Sequence, residues 1–239
     1  MDFIEAIALA GGELYRHLLD LVFPPRCIVC RCPGTWLCSG CVSGLPRIKG
    51  PVCRRCGVPT QKRDLCTRCR HAPLRIEKIR SAFLHEGPVR VAIHRLKYRN
   101  ARALAKPLGE YMATWWRVRS PEAGMVVVPV PLHPSRLRKR GYNQAALLAQ
   151  EFGRQAGLPV REGLLSRVRH TASQMKLDAE ARQRNVSEAF SSPGNAAAGI
   201  RVLLVDDVCT TGATLEACAD ALRSAGALDV WALTLARAP

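Results

Sequence analysis

The sequence predicts an α/β fold, a parallel sheet flanked by helices, preceded by a small metal-binding domain. Short continuous apolar runs at residues 125–130 and 202–205 are typical of parallel strands that are buried on both faces. Segments with helical periodicity, such as residues 145–152 and 215–222, follow these runs and supply the flanking helices. Paired cysteines, concentrated before residue 70, indicate the additional domain.

The chemistry is predicted to centre on the residues that follow the apolar run 202–205. Two carboxylates, Asp206 and Asp207, end this strand, and small or hydroxylated residues continue to Thr214. Such residues let the backbone close around an oxyanion with its N–H groups turned inward. Because a helix begins directly afterwards, the loop lies at a helix N-terminus, which favours a phosphate. The neighbouring carboxylates suit a ligand that also carries a diol, such as ribose 5-phosphate.

Four Cys-x-x-Cys pairs occupy a short segment, punctuated by Pro and Gly, that has too few large apolar residues for a core of its own. No secretory signal is visible, so we expect a reducing compartment and zinc thiolate sites instead of disulfides. Sequential and interleaved pairings are both open, and the sequential one is favoured. Cys32 falls outside the pattern and is predicted to be a free thiol. The predicted ligands of two zinc ions are Cys27, Cys30, Cys38, Cys41, Cys53, Cys56, Cys66 and Cys69.

The formal net charge of +17 predicts a positive field that attracts polyanions, small or large. Residues 47–80 are especially basic, because eleven Lys and Arg residues face only Asp64 and Glu77. This density fits a nucleic-acid surface, but it also fits a solvated basic face, since aromatic residues that stack on bases are nearly absent. Both interpretations stay open.

The chain is predicted to have three parts: an amphipathic helix at residues 1–23, a double zinc ribbon at 24–72 and the α/β domain at 76–239. Acidic residues interrupt the N-terminal apolar pattern, no basic region precedes it, and it lacks the roughly 18 continuous apolar residues of a membrane span. We interpret the chain as a cytoplasmic protein without a membrane span.

A second anion site is predicted where the strand at residues 125–130 ends. The run Pro131, Leu132, His133 leads into a basic segment that extends to Arg140, opposite the phosphate loop across the sheet edge. His133 is either a catalytic acid or a hydrogen-bonded structural group, and the second role is favoured. Residues 164–190 are polar and weakly periodic, which is typical of a functional or mobile connection.

Three stretches together resemble the competence protein F family: VPVPLHPSRLRKRGYNQAALLA, the polar segment after Arg167, and VLLVDDVCTTGATL. That family joins a double zinc ribbon to a type I phosphoribosyltransferase-like domain, and the resemblance covers nearly the whole chain. The second half is also similar to the synthase half of glutamine phosphoribosyl pyrophosphate (PRPP) amidotransferase. The resemblance implies PRPP binding by Asp206, Asp207, Cys209, Thr210, Thr211, Gly212, Ala213 and Thr214, a pyrophosphate side at Pro131, Leu132, His133 and Arg140, and a lid containing Arg167, Thr171, Gln174 and Arg182.

By this resemblance Asp206 and Asp207 would hold the ribose 2′ and 3′ hydroxyls and the following loop the 5′-phosphate. The implied chemistry is displacement of pyrophosphate at C1 of the ribose, with Mg²⁺ on the pyrophosphate and ribose oxygens. Such a reaction asks for little acid or base work, so the sequence identifies no catalytic residue and leaves the acceptor open.

Family membership implies a link to natural competence and DNA uptake, and two hypotheses follow. The first is an enzyme that transfers phosphoribose. The second is a non-catalytic competence factor whose PRPP fold senses a ligand while the basic ribbon docks single-stranded DNA or competence proteins.

Overall fold

The computed structural model describes residues 24–62, 64–119, 124–168 and 189–238. It divides into two compact units, Met1–Leu45 and Pro46–Pro239, so the boundary falls within the segment predicted as the double ribbon. The cysteines from Cys27 to Cys41 belong to the smaller unit, and those from Cys53 onward belong to the larger one. The helix predicted at residues 1–23 lies outside the described residues.

The described part of the smaller unit is a tight cysteine-rich turn followed by the short helix α1 (Ser39–Ser43). Arg26 and Pro33 form a β-bridge across the turn. Arg31 has a positive φ of 67°, which turns the chain back so that Cys32 O accepts a hydrogen bond from Cys27 N at 2.9 Å. This turn holds the backbone of Cys27 next to that of Cys32.

The larger unit contains, within its described residues, a four-stranded parallel sheet whose strands lie in the order β1 (Lys78–Leu84), β6 (Asp229–Arg237), β5 (Arg201–Cys209) and β2 (Met125–Pro129). The apolar runs of β2 and β5 are largely buried, as parallel strands covered by helices require. The predicted α/β class is therefore confirmed. The strands are β1 (Lys78–Leu84), β2 (Met125–Pro129), β3 (Ser166–Arg167), β4 (Phe190–Ser191), β5 (Arg201–Cys209) and β6 (Asp229–Arg237), of which β3 and β4 form a separate antiparallel pair.

Strand β5 is longer than the run predicted at residues 202–205, because it continues through both aspartates to Cys209. The extension follows from β6, which pairs with β5 up to the Cys209–Arg237 register. Both carboxylates thus belong to a strand held by its neighbour and not to a free loop.

The helices of the larger unit include α4 (Ala105–Arg119) and α6 (Gln144–Ala156), which pack closely. A Cβ on Gly109 of α4 would lie 2.6 Å from Glu151 Cβ, and the rings of Trp116 and Phe152 meet edge to face at 6.1 Å. Among the described residues, no helix has both the length and the apolarity to cross a bilayer. The helices are α2 (Thr67–His71), α3 (Gly87–Tyr98), α4 (Ala105–Arg119), α5 (Pro134–Arg140), α6 (Gln144–Ala156) and α7 (Ala213–Ser224).

Candidate phosphate site and metal clusters

The two predicted carboxylates have different surroundings at the carboxyl end of β5. Asp207 is 3% exposed, and its carboxylate forms an ion pair with Lys97 of α3. The Asp206 carboxylate accepts a hydrogen bond from the Asp207 backbone N–H at 2.8 Å. Burial, reinforced by the negative charge of Asp207, raises the pKa of Asp206 well above its usual value, although Lys97 opposes the shift. The Asp207 carboxylate is thus already paired with a cation, and the Asp206 carboxyl holds its proton more tightly than an ordinary carboxyl does.

The predicted phosphate loop connects β5 to α7. Thr210 and Thr211 are exposed, and Gly212 is buried with a φ of +86°, which favours glycine. The Ala213 N–H donates to Thr211 Oγ1 at 3.3 Å, so this hydroxyl contacts the first residue of a twelve-residue helix. The loop therefore presents hydroxyls at a helix N-terminus, next to the carboxylates.

Two arginines that the prediction did not include lie behind this loop. Arg237 is 4% exposed and donates to Cys209 Sγ at 2.8 Å and to Cys56 O at 2.9 Å. Arg68 donates to Thr211 O at 2.6 Å. Burial raises the pKa of Cys209 to about 11, despite the opposing charge of Arg237. Cys209, predicted among the PRPP-binding residues, is thus a buried thiol whose side chain contacts Arg237.

The predicted pyrophosphate side begins where β2 ends beside β5. Val130 N donates to Val205 O at 2.9 Å, and Pro131, Leu132 and His133 follow in a half-buried loop. Nδ1 of His133 accepts from Ser135 N at 3.2 Å and lies 2.7 Å from Ser135 Oγ, so the ring caps helix α5. These contacts favour the structural role of His133 over the catalytic one.

The remaining predicted ligand residues are only partly within the described chain. Arg140 hydrogen-bonds Gln144, and its guanidinium lies 5.4 Å from the centre of the Tyr98 ring. Arg167 of the predicted lid lies in β3, with its guanidinium 5.2 Å from the centre of the Phe190 ring. The other predicted lid residues, Thr171, Gln174 and Arg182, lie outside the described residues.

The cysteines form two clusters in the sequential arrangement. Sulfur atoms of Cys27, Cys30, Cys32 and Cys38 lie within 4.8 Å of one another, as do those of Cys53, Cys56, Cys66 and Cys69. The sulfur of Cys32, which the sequence predicted to be a free thiol, lies in the first cluster, one residue after Arg31 with its positive φ. The predicted ligand Cys41 lies beside this cluster, near the thiols of Cys30 and Cys38.

The second cluster has the donor chemistry that a structural zinc ion needs. Cys53, Cys56 and Cys69 are at most 3% exposed, and Cys56 Sγ lies 3.7 Å from Cys66 Sγ. Burial alone would oppose ionisation of Cys53, but backbone N–H donors from Cys66 and Cys56 outweigh it and lower its pKa to about 6. Four thiolates around zinc leave a net charge of about −2, which favours cations nearby. The guanidinium of Arg80 is such a cation, because it donates a hydrogen bond to Arg54 O, between Cys53 and Cys56, at 3.0 Å.

Sequence reasoning missed Lys97, Arg68 and Arg237 as parts of the site. The sequence did contain a signal for Lys97: it lies four residues after Ile93 and so shares the buried face of α3. Arg237 had a weaker one, since a charged residue that ends an apolar strand lies at the edge where the ligand crevice forms. Arg68 had none, because only the tertiary fold brings its helix to the phosphate loop.

Fold and site together define a phosphoribosyltransferase-like protein with an N-terminal double zinc ribbon. The family model described as "Double zinc ribbon domain" matches residues 18–70, which contain both clusters, and supports structural zinc at both. The model described as "Phosphoribosyl transferase domain" matches residues 137–239, which contain the β5–α7 loop.

The chain belongs to the competence protein F family, as the sequence resemblance predicted. It is 35% identical over 229 residues to "Competence protein F" of Haemophilus influenzae, covering 89% of this chain and 97% of that protein. It is 31% identical over 244 residues to "Competence protein ComFC" of Bacillus subtilis, covering 95% and 98%. It is 32% identical over 224 residues to "DNA utilization protein YhgH" of Escherichia coli, covering 89% and 98%.

Among solved structures, the chain is similar to a glutamine PRPP amidotransferase from B. subtilis. The TM-score is 0.42 at 18% identity, over 60% of this chain and 30% of that one.

Proposed function

We propose that the larger unit binds PRPP at the carboxyl end of β5. One observation carries the proposal: the Asp206–Asp207 pair directly precedes a loop with exposed threonine hydroxyls that opens a twelve-residue helix. Carboxylates accept hydrogen bonds from a ribose diol, while the loop N–H groups and hydroxyls receive a phosphate. Few metabolites besides PRPP offer both groups together with a pyrophosphate.

The pyrophosphate is assigned to the loop at Pro131, Leu132 and His133, since β2 lies next to β5 in the sheet. Exposed Arg136, together with Arg138 and Lys139 on the following helix α5, supplies positive charge on that side. Magnesium on the pyrophosphate and ribose oxygens would neutralise charge on the leaving group. The lid role of Arg167, Thr171, Gln174 and Arg182 is part of the same proposal.

The reaction we propose is pentosyl transfer, in which an acceptor attacks C1 of the ribose and pyrophosphate leaves. The protein's share is to bind and orient the two ends of PRPP, which suffices to lower the barrier without an acid or base at C1. The relatives' names support a role in competence or DNA utilization. Reduced thiolate clusters suit the cytoplasm, which we propose as the location.

A second candidate is a non-catalytic factor that senses PRPP and docks single-stranded DNA or competence proteins. The observation in its favour is the exposed positive charge around the second cluster, from residues such as Arg54 and Lys62. The two candidates share the ligand but differ in turnover. Release of pyrophosphate with any amine or base favours the enzyme, and saturable binding without release favours the sensor.

Calorimetry with PRPP and Mg²⁺ tests the shared core of both candidates. We expect saturable binding, with ATP and ribose binding much more weakly because each lacks part of the required set of groups. Asp206→Asn removes a charged acceptor worth roughly 1.5–3 kcal/mol, so affinity should fall about ten- to a hundredfold. Glu162→Gln, in the turn before β3, is the control and should bind normally. Folded, zinc-loaded protein that ignores PRPP would disprove the proposal.

A further inference from the structure

We propose that Arg68 is a positioning residue of the phosphate loop and that it couples the second zinc cluster to ligand binding. Arg68 lies on α2, between Cys66 and Cys69, and its Nη1 donates to Thr211 O at 2.6 Å. The inference rests on the proposed PRPP site and adds to it a residue from the zinc ribbon.

The geometry of the peptide bond explains what this contact does. In a planar trans peptide the C=O and N–H groups point in opposite directions, so a donor bound to Thr211 O lies on the side away from Gly212 N–H. Arg68 therefore fixes the direction of that N–H from behind, leaving its front for the phosphate. A cation on the carbonyl also polarises the peptide unit and makes its N–H a stronger donor.

A second contact joins the base of the loop to the other half of the same cluster. The buried Arg237 donates through one nitrogen, Nη1, to Cys56 O at 2.9 Å and to Cys209 Sγ at 2.8 Å. The phosphate loop is thus attached to the Cys53–Cys56 turn where it leaves β5 and to the Cys66–Cys69 turn at Thr211.

The cluster is also seated closely on the sheet. Gly57 has a φ of +72°, and a Cβ there would lie 2.5 Å from Ile79 O, so the turn touches the backbone of β1. Ile79 N donates to Arg55 O at 2.7 Å from the same turn. Because the Cys53–Cys56 turn is fixed to β1 and a zinc ion would link it to Cys66 and Cys69, zinc occupancy should determine where Arg68 stands relative to the loop.

Coupling of this kind is reciprocal. If zinc at Cys53, Cys56, Cys66 and Cys69 strengthens PRPP binding, then PRPP must strengthen zinc binding by the same factor. A purely structural ribbon would show no such dependence on the ligand. Zinc retention, measured with and without PRPP, therefore distinguishes a cluster that is coupled to the ligand site from a purely structural one.

The experiment compares Arg68→Ala with Arg70→Ala in the full, zinc-loaded chain. Arg70 is an exposed arginine on the same helix, so its removal changes the net charge equally. PRPP affinity by calorimetry should fall about tenfold in Arg68→Ala and stay within about twofold in Arg70→Ala. Arg68→Lys, which keeps a charged donor, should recover part of the loss. Arg68→Gln, which keeps an N–H donor, tests the same bond if the alanine variant loses metal.

The second readout is the rate at which a chromophoric chelator removes zinc. PRPP should slow one of the release phases in the wild type and in Arg70→Ala, but not in Arg68→Ala. If the wild type binds PRPP but the two alanine variants behave alike, this inference is overturned while the proposed function stands. A wild type that does not bind PRPP would overturn the proposed function and this inference with it.

Discussion

At the scale of single residues, the site depends on the difference between two neighbouring carboxylates. Asp207 is buried and paired with Lys97, so its charge is compensated before any ligand arrives. Asp206 accepts a hydrogen bond from the Asp207 backbone N–H and has a raised pKa. An incoming ribose hydroxyl therefore meets one carboxylate that is already paired with a lysine and one whose pKa is raised.

This difference predicts a pH dependence of PRPP binding. Because the pKa of Asp206 is raised, the side chain takes up a proton at a higher pH than an ordinary carboxyl and loses its charged acceptor. Affinity should therefore be full above that raised pKa and decline as the pH falls through it. Calorimetry at a series of pH values, for the wild type and Asp206→Asn, measures the effect.

At each pH, the wild-type affinity is divided by the affinity of Asp206→Asn. Protonation of the ligand's own phosphate cancels in this ratio, because it affects binding to both proteins equally. The wild-type advantage should shrink toward one at acidic pH. A ratio that stays constant across the range would show that Asp206 does not titrate where the ligand binds.

At the scale of elements, the turn between Cys53 and Cys56 sits on β1 with no room for a side chain at Gly57. Gly57→Ala combines a strained positive φ with a Cβ 2.5 Å from Ile79 O. Gly50→Ala is the matched control, because Gly50 has a φ of +75° and nothing within 4 Å of the added Cβ. Comparison of the two variants separates the energetic cost of alanine at a positive φ, which both share, from the cost of the steric clash, which only Gly57→Ala has.

We expect Gly57→Ala to lower the free energy of unfolding by about 2–4 kcal/mol and Gly50→Ala by about 1 kcal/mol. Urea unfolding followed by circular dichroism measures both. Equal losses would mean that the turn can move away from β1 without cost, which would also weaken the proposed coupling between the cluster and the phosphate loop.

Elements with a strong periodic signal were predictable from the sequence, and those defined by tertiary contacts were not. The apolar run at residues 202–205 identified the central strand, because a strand buried on both faces has no polar positions. Its extension to Cys209 depends on pairing with β6, which local composition does not encode. Cys32 was missed for a local reason: its place in the first cluster follows the left-handed backbone of Arg31, which cysteine spacing does not encode.

At the scale of the whole molecule, the two cysteine clusters belong to different compact units. The second lies in the larger unit, where Cys53, Cys56 and Cys69 share one hydrophobic core with Ile79 and Leu215. The first belongs to the smaller unit, and its Cys30 is exposed. Sequence spacing makes the clusters look equivalent, and only the fold shows that one of them is part of the α/β core.

Removal of one zinc ligand from each cluster should therefore have unequal effects. Elemental analysis of protein purified without chelator should give about two zinc ions per chain, and about one in both Cys53→Ser and Cys30→Ser. Cys53→Ser should also lower the unfolding temperature of the sheet, because loss of metal leaves thiolates uncompensated inside its core. Cys30→Ser should affect that temperature much less. Equal and small shifts would mean that the α/β core is complete without the second metal, and a wild type free of zinc would contradict both assignments.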